Sequence, residues 1–303
     1  MKVETLHDQL YFGTVRLEGH AGEAQTGGTG FLMVAEAEGP AAPGAQRGQV
    51  PFLVTNRHVA EGASDKMLVH MIEQTGEQPP TPALGKRTGV DIRGCAEGFT
   101  PHPEEDIDVA VMPFGSFAEQ LSELGRPPFF KSVDTTQMLT RQQANDLDSM
   151  EELIFIGYPN ALFDQVNLTP IMRTGTTATP IMLDYNGLPA FLIDASVFPG
   201  SSGSPVFLRD RGMYRKRDGS MAVASRFYLL GIVAAMYSSQ HHAELEELPA
   251  KLGLTLHDSL NLGIVYKASA IIECVDAALA RDGMRRVDVP PDGEPVEQGR
   301  GER

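Results

Sequence analysis

The stretch "FPGSSGSPVF" (198–207) sets two glycines, two prolines and three serines between apolar residues. Glycine reaches positive φ without a Cβ clash and proline fixes φ near about −65°, so the run reads as a sharp turn. Its far end runs into "SPVFLR" (204–209), an apolar run of strand length, too short for a helix. An α/β-hydrolase would place its serine in Gly-x-Ser-x-Gly on a strand-to-helix turn. Here the run is Gly200-Ser201-Ser202-Gly203-Ser204, so the final glycine is missing, as is a regular alternation of strands and helices. The stretch is either a plain flexible turn or a bend that aims backbone N–H groups beside Ser202, and the rest of the chain must decide.

On both sides of this turn, short β-rich runs are separated by turn residues. "LYFGTVRL" (10–17), "GFLMVAEA" (30–37), "PFLVTN" (51–56), "KMLVHMI" (66–72) and "DVAVMPF" (108–114) form a first group of expected strands. A second group holds "LIFIGYP" (153–159), "LTPIMRTGTTATPIML" (168–183, expected as two strands), "AFLIDASV" (190–197), "SPVFLR" and "FYLLGIVAAMY" (227–237). This predicts an all-β chain of two antiparallel barrels or sandwiches of about six strands each. The two units are expected over 8–118 and 151–282, joined by a more polar segment at 119–150 in which "TRQQANDLDSMEE" carries a short helix. "SAIIECVDAALARDG" puts Ile271, Val275 and Ala278 on one face of a C-terminal helix that Gly283 ends. Residues 283–303 are rich in proline, glycine and charge and are expected to be disordered.

Composition narrows the function. A net charge of −15 over 303 residues argues against general affinity for nucleic acid or anionic lipid. No run approaches the roughly 18 apolar residues of a membrane helix, and "MKVETLHDQLYFGTVRLEG" lacks the basic and apolar regions of a signal peptide. Cys95 and Cys274 stand far apart outside any metal-ligand spacing, and two free thiols are expected. These features predict a cytoplasmic protein without metal or cofactor.

Three segments carry residue types that nucleophilic hydrolysis requires: a nucleophile, a base with a group to orient it, and donors for an oxyanion. "FLVTNRHVA" presents His58 just past a strand, "DIDVAVMPF" presents Asp106 and Asp108 before another, and Ser202 comes later on its turn. Each alone is ordinary: a polar residue after a strand, a turn aspartate, a flexible serine loop. Together they stand in one of the three known chain orders of the Ser-His-Asp triad. Asp108 is preferred over Asp106 because it directly precedes the alternating "VAVM".

"TNRHV", "DVAVM" and "GSSGSPV" resemble the three catalytic boxes of chymotrypsin-like serine peptidases, in the bacterial branch that includes the high-temperature-requirement and glutamyl endopeptidases. "TGGTGFLMV" resembles the glycine-led strand before the His box, and "GIVAAMY" the strand lining the primary pocket. "LGIVYKASAI" resembles the last strand leading into the C-terminal helix. The resemblance implies two antiparallel six-stranded β-barrels with a C-terminal helix, and a serine endopeptidase with Ser202 as nucleophile, His58 as base and Asp108 as its partner. It implies an oxyanion hole from the N–H groups of Gly200 and Ser202.

It further implies a pocket with Ser196 near its floor and Ala234 and Met236 on its wall. Serine rather than an acid at 196 argues against cleavage after Lys or Arg, and a small or medium apolar residue is expected. His241 and His242 are expected in a solvated loop. Ser201 stands where the digestive branch has an aspartate that pairs with a freed N-terminus, so activation by that route is not expected. The implied partner is a protein or peptide substrate, with a regulatory protein to restrain a cytosolic peptidase. The rival readings are a peptidase-fold binding or scaffold protein whose pocket Met236 blocks, and a peptidase that processes only itself.

Overall fold

The computed structural model describes residues 1–39, 47–210, 212–215, 219–223, 225–244 and 253–287. The chain opens with a helix, α1 (Leu6–Gly13), where a strand is expected from residue 10. Its cause is a capping box: the Thr5 hydroxyl accepts from the Asp8 N–H at 3.1 Å and the Asp8 carboxylate accepts from the Thr5 N–H at 3.0 Å. The strand itself is β1 (Thr14–Ala21), followed by β2 (Ala24–Glu38), β3 (Arg47–Thr55), the short helix α2 (Arg57–Glu61) and β4 (Lys66–Gln74).

Next come β5 (Pro82–Arg93), the single turn α3 (Cys95–Gly98), β6 (Thr100–Pro101) and β7 (Ala110–Pro113). The connector carries α4 (Gly115–Glu123), β8 (Pro128–Phe129), β9 (Val133–Asp134) and α5 (Arg141–Asn145), the last within the polar run expected to hold a helix. These nine strands, with a tenth that follows the second half and also pairs with β2, form a sheet of order β5-β4-β1-β2-β3-β7-β6, with β8 on β4 and β9 on β2. The first half is thus a larger sheet than the expected six strands, enlarged by β5 and by short flanking pieces.

The second half holds β10 (Glu152–Gly157), β11 (Ile171–Thr177), β12 (Ala190–Asp194), β13 (Pro205–Leu208), the small pair β14 (Tyr214–Arg215) and β15 (Met221–Ala222), β16 (Leu229–Glu244) and β17 (Gly253–Lys267). Six of them close a barrel in the order β10-β11-β12-β17-β16-β13. Only one strand forms in the run 168–183, because after Thr177 the chain turns back and the N–H groups of Ala178 and Thr179 both bond the Leu192 carbonyl. Helix α6 (Ala268–Arg281) comes next, and β18 (Arg285–Arg286) then pairs with Glu38 and Ala37 of β2 in the first sheet. Order therefore continues past the expected boundary at 283; residues 288–303 lie outside the described residues.

Each half has its own apolar interior: Val69, Leu53 and Phe114 in the first sheet, Phe191, Val206 and Val265 in the barrel. A third cluster joins them, with Phe31, Phe52 and Val109 from the sheet, Ile156, Phe207 and Ile232 from the barrel, and Ile271 and Val275 from α6. Burying one such side chain is worth about 1.5–3 kcal/mol. This seam is therefore a continuous core, and it carries the segments that hold His58, Asp108 and Ser202.

Candidate active site

Strand β3 ends at Thr55, and buried Asn56 then starts the turn that presents His58. The Asn56 side-chain amide donates to the Asp108 carbonyl at 2.6 Å, tying the two segments together. The Arg57 guanidinium donates to the carbonyls of His102 at 2.5 Å and Glu105 at 2.8 Å, so it braces the loop that leads to Asp108.

The Asp108 carboxylate meets the same residue twice. Its Oδ1 accepts from the His58 backbone N–H at 2.9 Å, and its Oδ2 lies 2.6 Å from His58 Nδ1. A carboxylate facing Nδ1 holds the proton there, which leaves Nε2 with its lone pair free to act as a base. The imidazole is open to solvent at 52% exposure, while Asp108 is more sheltered at 27%. Asp106 is not part of this arrangement: it is exposed, and its main-chain carbonyl accepts from the Tyr266 hydroxyl at 2.8 Å.

Ser202 lies on the turn that enters β13 and is half-buried. Its hydroxyl donates to the Ala234 carbonyl of β16 at 3.0 Å rather than to the imidazole. Around it, successive peptide groups are tied in place. The Pro199 carbonyl accepts from the Asn160 N–H at 2.6 Å, and the Ser201 carbonyl from the Ser204 N–H at 3.0 Å. Trans peptide groups point their N–H opposite their C=O, so these two bonds leave the N–H groups of Gly200 and Ser202 turned the other way. Among the described residues neither of those two N–H groups has an acceptor. The Ser201 N–H goes to the Phe198 carbonyl and the Gly203 N–H to the Val233 carbonyl, both at 2.9 Å. Two unspent donors separated by one residue, beside a serine hydroxyl, are groups of the kind that can receive a developing negative charge.

The glycines in this turn answer to crowding that a side chain would create. Gly200 has φ +86° and Gly203 φ +90°, and a Cβ on Gly203 would fall 1.7 Å from the Thr29 carbonyl oxygen. Asn160 and Ala161 on the facing loop also hold positive φ, at 49° and 56°. The local strain sits where the Pro199 carbonyl is held.

Ser196 is half-buried between β12 and the turn, and Ala234 is buried on β16. The side chains of Met236, His241 and His242 fall outside the described residues; the backbone of all three continues β16 as strand rather than loop. Both cysteines are free and buried; burial raises both thiols, and Cys274 is pushed up to about 12. A group of side chains suited to hold a metal ion does not occur among the described residues, and none of their helices is long and apolar enough to cross a membrane. Sequence reasoning missed Asn160, which acts on this turn through its backbone N–H, and Thr29, which acts through its N–H and its hydroxyl.

A family model described as trypsin-like peptidase domain matches residues 28–213, a span holding His58, Asp108 and Ser202. The chain belongs to this family. Its architecture is chymotrypsin-like, and membership supports peptidase activity in general. Among solved structures, a thermostable serine protease AL20 from an extremophilic microorganism is 10% identical, covering 88% of this chain and 97% of its own, with a TM-score of 0.46. A serine endoprotease from Yersinia pestis is 16% identical, with 93% and 69% covered and a TM-score of 0.44. Tobacco etch virus protease complexed with product is 13% identical, with 95% and 85% covered and a TM-score of 0.43. A comparison with curated proteins found no match.

Proposed function

We propose that this trypsin-like peptidase is a serine endopeptidase that works through Ser202, His58 and Asp108. The observation that carries the reading is the pairing of the Asp108 carboxylate with His58 Nδ1 at 2.6 Å, on the same seam as a serine flanked by two unspent N–H donors. In the reaction the Ser202 hydroxyl leaves the Ala234 carbonyl and turns to His58 Nε2. A substrate N–H that takes up the Ala234 carbonyl favours this turn. The hydroxyl oxygen then attacks the scissile carbonyl carbon while its proton passes to Nε2, and Asp108 stabilises the imidazolium. Charge collects on the former carbonyl oxygen, where the N–H groups of Gly200 and Ser202 receive it; one such donor is worth about 3 kcal/mol in the transition state. The imidazolium gives its proton to the leaving amine, and water repeats the sequence on the acyl-Ser202 ester.

In this reading Ser196 forms the floor of the primary pocket and Ala234 and Met236 its wall, so cleavage occurs after small or medium apolar residues. A fluorophosphonate probe tests the assignment. The folded chain is expected to gain one adduct, mapped by mass spectrometry to Ser202, with no adduct on Ser202→Ala and a rate at least about a hundredfold lower for His58→Ala. A folded wild-type chain that stays unlabelled across pH 6–9 overturns it.

A further inference from the structure

One residue of the first half holds the Ser202 turn through two atoms, its backbone nitrogen and its hydroxyl oxygen. Thr29, fully buried in β2, donates its backbone N–H to the Ser202 carbonyl at 2.9 Å. Its hydroxyl donates to the Gly200 carbonyl at 2.8 Å and accepts from the Tyr158 N–H at 3.0 Å. Its own carbonyl accepts from the Thr55 hydroxyl at 2.8 Å, which anchors it to the strand before His58. The two carbonyls it holds belong to the residues whose N–H groups stand unspent, and Tyr158 lies two residues before Asn160, which holds the Pro199 carbonyl.

We propose that the Thr29 hydroxyl is a positioning residue for the oxyanion donors, bridging the Tyr158 N–H and the Gly200 carbonyl so that the Gly200 and Ser202 N–H groups converge. A peptide group pivots about its flanking bonds, so fixing the carbonyl of Gly200 on one side and that of Pro199 on the other removes the freedom of the N–H between them. Without the hydroxyl, the Gly200 carbonyl and the Tyr158 N–H both lose a buried partner. The turn then relieves that cost by rotating, and rotation is what misaims the donors. Charge stabilisation in a transition state depends on donors that are already aimed, so the cost falls on the rate of the chemical step. The consequence for rate rests on the serine-peptidase reading; the geometric role does not.

Three variants separate the hydroxyl from the methyl group. Thr29→Ser keeps the hydroxyl, Thr29→Val keeps the shape, and Thr29→Ala keeps neither. The rate of fluorophosphonate labelling is expected to stay within about threefold of wild type in Thr29→Ser and to fall about tenfold or more in Thr29→Val and Thr29→Ala. A purely structural role would order the rates by melting temperature, with the isosteric Val nearest wild type, and that order overturns the proposal. If Thr29→Val does not fold, Ser against Ala still decides. Amide hydrogen exchange is read on the same proteins. The N–H groups of Tyr158, Ser201 and Gly203, all hydrogen-bonded in the native turn, are expected to exchange faster in Val and Ala than in wild type and Ser. Equal exchange in all four proteins overturns the proposal even where the wild type takes no label, an outcome that by itself removes only the peptidase reading.

Discussion

His70 shows how much one buried side chain can carry without touching the reaction. It is 7% exposed, with Nε2 2.9 Å from Arg16 Nη2 and 3.1 Å from the Glu18 carboxylate. Burial and the positive charges of Arg16 and Arg87 hold its pKa down at about 4, against 6.5 in the unfolded chain, and Glu18 offsets them only in part. Below pH 6.5 the unfolded chain therefore takes up a proton that the folded chain refuses. Stability must fall as pH drops from about 6.5 toward 4, by about 3 kcal/mol at most from this group. Urea unfolding at pH 7 and pH 4.5 checks the sign: the loss between the two is expected to be smaller in His70→Gln than in wild type. Equal losses would refute it. At this scale the sequence reads well where a side-chain type is decisive, as at His58 and Asp108, which the structure brings to 2.6 Å. It reads poorly where a residue works through its peptide group, as Asn160 does, because every residue but proline carries a backbone N–H.

Elements are legible where apolar runs are unbroken. The runs at 30–37 and 66–72 lie within strands, and 51–56 does so up to Thr55. In β2 and β3 both faces are buried, Phe31 and Phe52 in the shared core and Leu32 and Leu53 in the sheet's own, so a continuous apolar run of strand length records them. Strand β5 is hidden in the sequence because Gly85, Lys86, Arg87 and Gly89 interrupt its apolar positions; its place comes from pairing with β4 along Lys66–Ile72. Helix α1 lies inside a run with strand-like composition, and only the Thr5–Asp8 cap betrays it. A two-residue strand, β18, carries a testable role. Arg286 pairs with Asp276 of α6 at 2.8 and 3.0 Å, Arg285 pairs with Glu38, and the Val287 N–H bonds the Glu36 carbonyl at 2.9 Å. A chain ended at Met284 is expected to be about 1–2 kcal/mol less stable than one ended at Val287. Indistinguishable urea midpoints would show that this strand contributes nothing.

Across the whole molecule the apolar pattern identifies two β-rich halves but not how they are held together. That arrangement depends on contacts far apart in sequence. His102 of the first half has no exposed side-chain surface and meets Glu273 of α6 at 3.0 Å, and Arg281 donates to the Thr100 hydroxyl at 2.8 Å. Helix α6 grows out of the barrel's last strand, yet it and β18 finish the packing of the sheet that the chain built first. The polypeptide is in effect stitched shut by the helix and strand that follow the barrel. Severing it at exposed Met150 in the connector, through an engineered cleavage site, should leave two pieces that travel as one body in gel filtration under native buffer. They should come apart only in denaturant, and pieces that drift apart unaided would mean that the stitch does not hold.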